Sequence, residues 1–128
     1  AGTLLQTLQN TLLAALDQTA VDDWADRAVR SHRLARTTPA MAAHNLQFCD
    51  HTVGEALTIL NDRYDLDLPA DQRPRLALDI LIAAFRSALD TWSNNPRLDI
   101  STLATEMRTA FTCVPQALTM TPTPRHAC

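Results

Sequence analysis

The stretch from Arg73 to Ser93 constrains the fold more than any other, because it is apolar on almost every side of a helix. It reads RPRLALDILIAAFRSALDTWS, and on a helical wheel only Asp79, Arg86 and Asp90 form a narrow polar seam. A surface helix of a globular domain buries one broad stripe and leaves the opposite face polar. This helix is too short and too interrupted by charge to span a membrane. We therefore expect neighbouring helices to cover one face and a second copy of the chain to cover the other.

The composition favours a single all-α domain. A chain of 128 residues is long enough to bury its own core. Only two glycines, with abundant Ala and Leu, favour helices over sheets, barrels or phosphate-binding loops. The formal net charge of -3 gives no electrostatic signature for nucleic acid or anionic lipid.

The cysteines indicate a reducing compartment. Cys49, Cys113 and Cys128 are odd in number and form no CxxC pair, which is typical of the cytosol rather than of a disulfide scaffold. With no signal peptide or transmembrane run visible, we expect a cytoplasmic protein. The chain begins at Ala1 without an initiator methionine, and we expect it to be a processed or truncated product of a longer protein.

Apolar periodicity and clear breaks predict five helices in an antiparallel bundle. The segments Thr37-Thr38-Pro39 and Asn94-Asn95-Pro96 are the clearest breaks, and Asp99 or Ser101 is expected to cap the last helix. A Thr- and Pro-rich tail is expected over 115–128, which leaves a domain over 1–114. The predicted helices run from about Leu4 to Asp17, from a capping box at Thr19 and Asp22 to Arg36, from Pro39 to Tyr64, from Arg73 to Ser93, and from the cap to Val114.

The sequence predicts neither an enzyme nor a bound metal or cofactor. His44 and His51 share one side of the third helix but supply two ligands where zinc sites need three or four. Cys49 lies within an apolar face, where a thiol behaves as a small hydrophobe. No GxSxG elbow, P-loop or dinucleotide fingerprint is present.

Two polar residues, His32 and Asn45, fall among apolar neighbours on their helices, and a buried polar group needs a hydrogen-bond partner. In one interpretation they satisfy each other or a backbone carbonyl inside a filled core. In the other they line a ligand pocket with apolar walls. The candidate pocket residues are Trp24, Ala28, His32, Asn45, Phe48, Ile82 and Phe85. In the polar seam, Arg86 and Asp90 have the i,i+4 spacing of a helical ion pair.

The order of the segments carries a family resemblance. RAVRSHRLARTTP is followed by the long helix AMAAHNLQFCDHTVGEALTILNDRYDLDLPADQ, then by LALDILIAAFRSALDTW and ISTLATEMRTAF. Taken from Leu4 to Val114, the chain resembles the C-terminal effector-binding and dimerisation domain of TetR-family transcriptional regulators. It is most similar to the actinobacterial branch that includes the mycofactocin regulator. The likeness lies in helix lengths, break points and a terminal Trp92.

The resemblance implies the ligand-sensing half of a bacterial transcriptional repressor. Its last two long helices, Gln72 to Ser93 and Ile100 to Val114, would form an intermolecular four-helix bundle in a homodimer. The earlier helices would enclose an apolar or amphipathic effector that releases the parent protein from operator DNA. The family's N-terminal helix-turn-helix is absent from these residues, so DNA binding is expected of a longer parent. The expected interface residues are Asp79, Leu89, Trp92, Met107 and Phe111.

A function of another class stays open, namely a stand-alone helical dimerisation or interaction module with a filled core and no ligand. A cavity with His32 or Asn45 at its wall would favour the sensor. A close-packed interior would favour the module.

Overall fold

The computed structural model describes residues 2–18, 24–68 and 70–125. Within these ranges the chain contains helices and no strand, which confirms the predicted all-α fold of five helices. The five helices are α1 (Leu4–Gln18), α2 (Trp24–Thr37), α3 (Pro39–Arg63), α4 (Arg73–Ser93) and α5 (Ile100–Thr119).

The breaks in the sequence place most helix ends correctly. α3 begins with Pro39 at its first position, where the fixed φ and the missing N–H of proline suit the first turn. α4 has the predicted bounds and ends where the Asn94 amide bonds the carbonyls of Thr91 and Trp92. The capping box predicted at Thr19 and Asp22 lies outside the described residues.

The predicted end of α5 is wrong, and with it the start of the tail. α5 continues through Pro115 to Thr119, so the extended segment begins at Met120. Proline interrupts a helix because it has no N–H for the carbonyl four residues earlier and crowds it. Here the helix continues beyond the proline, and its last turn closes where the Met120 amide donates to the Gln116 carbonyl at 2.9 Å.

The first turn of α5 is held by a capping box. Asp99 Oδ1 accepts a hydrogen bond from the Thr102 amide at 2.9 Å, and Thr102 Oγ1 accepts one from the Asp99 amide at 3.2 Å. This arrangement satisfies two backbone donors that a helix start leaves unpaired. Of the two predicted caps, the structure therefore selects Asp99 over Ser101.

The centre of the fold is the contact between α4 and α5, which the loop 94–99 connects. The side chains of Trp92, Leu103 and Met107 are 0% exposed there. The Trp92 indole N–H donates to Thr102 Oγ1 at 3.0 Å, so the buried ring has a polar partner at the start of α5. We call this group the larger cluster; its other buried members are Val29, Ala84, Ala88, Ala104 and Phe111.

A smaller cluster joins α3 to the first half of α4. Val53, Leu60 and Leu78 are buried, with Leu4 and Leu8 of α1 packed against them. Much of the apolar face predicted for α3 is not covered. Leu46, Ile59 and Tyr64 are exposed.

Candidate functional site

The residues predicted to form a ligand pocket do not meet around one cavity. Ala28 and Phe85 pack against the larger cluster, and Ile82 packs against the smaller one. Asn45 is half-buried on α3. The side chains of the remaining two aromatic candidates, Trp24 and Phe48, lie outside the described part of the structure.

His32 belongs to a polar contact between α2 and α4. Its Nε2 lies 2.7 Å from Asp90 Oδ1, and the same oxygen accepts a hydrogen bond from Arg36 Nη1 at 2.7 Å. The partner of His32 is therefore a carboxylate on α4, and neither Asn45 nor a backbone carbonyl. A helical wheel shows neighbours on one helix, so it gave no signal for a pair 58 residues apart in the chain.

The polar seam of α4 faces other helices, and its predicted internal ion pair does not form. Arg86 Nη2 donates instead to Cys49 Sγ at 3.5 Å, which joins α4 to α3. Arg33 adds a further bond, from its Nη2 to the Ser93 carbonyl at 2.8 Å. Two of the three seam residues therefore serve contacts within one chain, because Asp90 pairs with α2 and Arg86 with α3, whereas Asp79 is exposed.

Three of the five expected interface residues lie inside the protomer. Trp92 and Met107 are 0% exposed and Phe111 is 8% exposed, because α4 and α5 bury these side chains in the larger cluster. These three side chains therefore belong to the core of one protomer, and a dimer interface through α4 and α5 stays a prediction. Leu89 is half-buried and packs against the same cluster, whereas Asp79 is exposed.

The surface on which α4 and α5 lie open to solvent carries a groove of about 470 Å³, which we call the outer groove. Most of its side chains are small or apolar, and Glu106 is its single charged residue. Sequence analysis missed this surface, although the alanine, serine and threonine residues of α4 repeat at helical spacing. The lining residues are Ile80, Ala83, Ala84, Ser87, Ala88, Thr91, Glu106, Thr109, Ala110, Cys113, Val114, Ala117 and Leu118.

A second open groove, of about 490 Å³, runs along α2 beside Leu98; we call it the α2 groove. It combines apolar and cationic side chains. Between Trp24 and Thr37, α2 carries four arginines and one aspartate, so it is basic within an acidic chain. Of the pocket candidates with described side chains, none lines this groove or the outer groove. The residues of the α2 groove are Asp26, Val29, Arg30, Arg33, Leu34, Thr37 and Leu98.

The chain exposes a large surface for its mass. Its accessible surface is 9348 Å² at 14.1 kDa. A compact monomer of this mass exposes about 6,700 Å². Part of the surplus of about 2,600 Å² belongs to the extended, exposed segment that follows α5.

Over residues 2–18, 24–68 and 70–125, no group of three or more His, Cys, Asp and Glu side chains is placed to hold a metal ion. His51 Nε2 lies 3.0 Å from Glu55 Oε1, one turn further along α3. In the same ranges, no helix combines the length and the hydropathy that crossing a membrane requires.

No protein-family model, curated protein or solved structure matches this chain. The resemblance to TetR-family effector domains therefore rests on the sequence patterns alone.

Proposed function

We propose that this chain is a helical homodimerisation domain and that the outer groove of α4 and α5 is its interface. The observation that carries the proposal is the groove itself, an open surface with an apolar lining and a single charge. The centre of a protein interface is depleted of charged residues in the same way. Small side chains such as Ala83, Ser87 and Ala110 let the helices of a partner approach closely, since interaxial distance follows side-chain size.

The exposed area of the chain leaves room for such an interface. A standard interface buries about 800 Å² on each partner. The surplus surface of this chain is about three times that value, so one dimer contact covers only part of it.

Two-fold symmetry gives the proposed dimer a definite register. In an isologous interface the same patch of both protomers meets across the axis. Ser87 on α4 and Cys113 on α5 both line the outer groove, near the middle of the stretch that each helix contributes, and the proposed register places them nearest the axis. The exposed Cys113 thiol is therefore a native reporter of the interface.

The test of this register is a cross-link. In a C49S/C128S variant, which keeps a hydrogen-bond acceptor for Arg86, we expect a short bismaleimide to join two Cys113 residues. Adding C113S should abolish the product. A folded dimer that gives no cross-link through Cys113 would contradict the register.

Sedimentation velocity tests the dimer itself. We expect the chain to sediment as a dimer and Ser87→Arg to convert it into a helical monomer, because the new charge would be buried at the centre of the contact. Thr105→Arg is the matched control, since Thr105 is exposed on α5 and does not line the groove. A monomeric wild-type chain at tens of micromolar would overturn the proposal.

A ligand-sensing role is the second candidate, and it follows from the TetR-like order of segments. In such a parent protein the dimer would hold two DNA-reading domains, and an effector would change their separation. A ligand does this only as far as it binds one conformation more tightly than another. The supporting observation is the α2 groove, whose Arg33 also bonds the end of α4. A coding sequence for a helix-turn-helix directly upstream would favour this candidate, and an unrelated upstream sequence would oppose it.

A further inference from the structure

We propose that the α2 groove binds an organic anion with an apolar body, of the medium-chain carboxylate kind, and that Arg33 couples its occupancy to α4. This inference gives the ligand-sensing candidate a site and a ligand class, and it rests on that candidate. It does not depend on the dimer.

The cationic side of the site is supplied by Arg30 and Arg33, one turn apart on α2. Arg30 is exposed and forms no hydrogen bond or ion pair with any described residue. A guanidinium group recognises a carboxylate through two parallel N–H···O bonds. Asp26 lies at the other end of the lining and repels an anion, which directs the head group towards Arg33 and Thr37.

The apolar side of the site is supplied by Val29, Leu34 and Leu98. Val29 is buried and forms the floor, and Leu98 packs against the larger cluster beside it. Leu34 is 49% exposed, so a large apolar side chain stands uncovered next to two arginines. Ligand sites combine an apolar lining with a few placed polar groups in this way. The match is to an amphipathic anion, since an inorganic anion would leave the apolar side unused.

Arg33 connects the groove to the fold. It lines the groove, and its Nη2 donates 2.8 Å to the carbonyl of Ser93, the last residue of α4. The last carbonyls of a helix carry partial negative charge, and a cation placed there stabilises the helix end. An anion in the groove competes with this carbonyl for the same guanidinium group. Binding therefore changes the contact that fixes the end of α4 against α2.

The experiment is a ¹⁵N–¹H titration of the full chain with sodium octanoate, with octanol and acetate as controls that each keep one half of the ligand. We expect octanoate to give saturable shifts in the Arg30 and Arg33 side-chain N–H signals and in the Asn94 amide, which follows the Ser93 carbonyl. Neither octanol nor acetate should give saturable shifts at the concentrations at which octanoate does. Equal binding of octanol, equal binding of acetate, or shifts confined to the outer groove would each overturn the proposal.

Two variants distinguish the recognition of octanoate from the coupling of its binding to α4. Arg30→Gln should weaken octanoate binding by about tenfold, the loss of one charge-assisted contact. Because Arg30 bonds no described residue, this variant should keep the wild-type melting temperature. Arg33→Gln should also weaken binding and should remove the octanoate-dependent shift at Asn94. Arg75→Gln is the control, since Arg75 pairs with Asp50 on α3 at 2.7 Å and does not line the groove.

The outcomes distinguish this site from the dimer. Unchanged octanoate affinity in Arg30→Gln would overturn the α2 groove as the site. A dimer by sedimentation that does not bind octanoate would overturn this inference and leave the interface standing. A monomer that binds octanoate through Arg30 would overturn the interface and support the site.

Discussion

The helices α3 and α5 are both long, yet they differ in how much of their apolar surface the fold buries. α5 places Leu103, Ala104, Met107 and Phe111 in the core, all on one side. α3 is longer by five residues but buries only Val53 and Leu60 among its described large apolar side chains. The narrow apolar stripe of α5 is covered mainly by α4 and also by α1, whereas the broad apolar arc of α3 exceeds the surface that its neighbours offer. The number of apolar residues on a helix therefore predicts its burial less well than their concentration in one stripe.

The largest expected effect is a difference in the free energy of unfolding between two leucine-to-alanine variants, one on α5 and one on α3. Leu103→Ala should lower the free energy of unfolding by about 3 kcal/mol, because Leu103 is 0% exposed and its loss leaves a cavity. Leu46→Ala should change it by less than about 0.5 kcal/mol, because Leu46 is 58% exposed. Urea unfolding at one fixed protein concentration measures both. Similar losses in the two variants would remove the distinction between α3 and α5.

A smaller effect compares the polar contacts that join each helix to α4. Thr102→Val should cost about 1 kcal/mol, since it removes the hydroxyl that accepts from the Trp92 indole and from the Asp99 amide, while the indole keeps the Asp99 carbonyl as a second acceptor at 3.2 Å. Asp50→Asn should cost less than about 0.5 kcal/mol, because its pair with Arg75 is 51% and 75% exposed on the two sides. Thermal unfolding of the two variants provides the comparison. A larger loss for Asp50→Asn would place the more important polar contact on α3.

The smallest effect concerns the loops on either side of α4. Hydrogen bonds from the Arg73 side chain lower the pKa of Asp71 from 3.8 to about 2. The pKa of Asp99 is lowered chiefly by the backbone N–H of Thr102. Arg73→Gln should therefore return the pKa of Asp71 towards 3.8, whereas Arg97→Gln should leave that of Asp99 depressed. Carboxyl ¹³C shifts followed against pH give both values, and a normal pKa for Asp99 in Arg97→Gln would contradict the backbone origin.

The pH dependence of folding stability follows from the difference between the folded and unfolded pKa of Asp71. A pKa depressed in the folded state means that the ionised Asp71 stabilises the fold. This contribution is complete above the unfolded pKa near 3.8 and is lost as the pH falls through about 2. Wild type and Arg73→Gln should therefore converge in stability at the acid end of this range.

The sequence predicted the helices well because their ends depend on local chemistry. Pro39 and the Asn94-Asn95-Pro96 segment mark chain breaks whatever packs around them. The end of α5 was predicted wrongly because a proline weakens a helix without always ending it: α5 continues through Pro115 to Thr119, although residues 115–119 are exposed and no core packing holds them. The all-α class follows from composition, which needs no tertiary information.

The candidate site was predicted less well because it depends on depth and on contacts between helices. A helical wheel predicts which face of its helix carries Trp92 or Met107. It does not show whether another helix of the same chain or a second chain covers that face. The partnership of His32 with Asp90 depends on how α2 crosses α4. A signal for the outer groove was available in the repeated small residues of α4, of which Ala83 and Ser87 are examples.

Pro115 divides α5 into two segments that we expect to differ in how readily their backbone hydrogen bonds open. Upstream, Phe111 anchors the helix in the larger cluster, but its carbonyl has no amide donor four residues later because Pro115 has none to give. Local opening proceeds in units bounded by such weak points. The amides of residues 116–119 should exchange with solvent sooner than those before Phe111. Leu118, at the far end of the outer groove, belongs to this last turn, so one edge of the proposed interface can melt and re-form while the core stays folded.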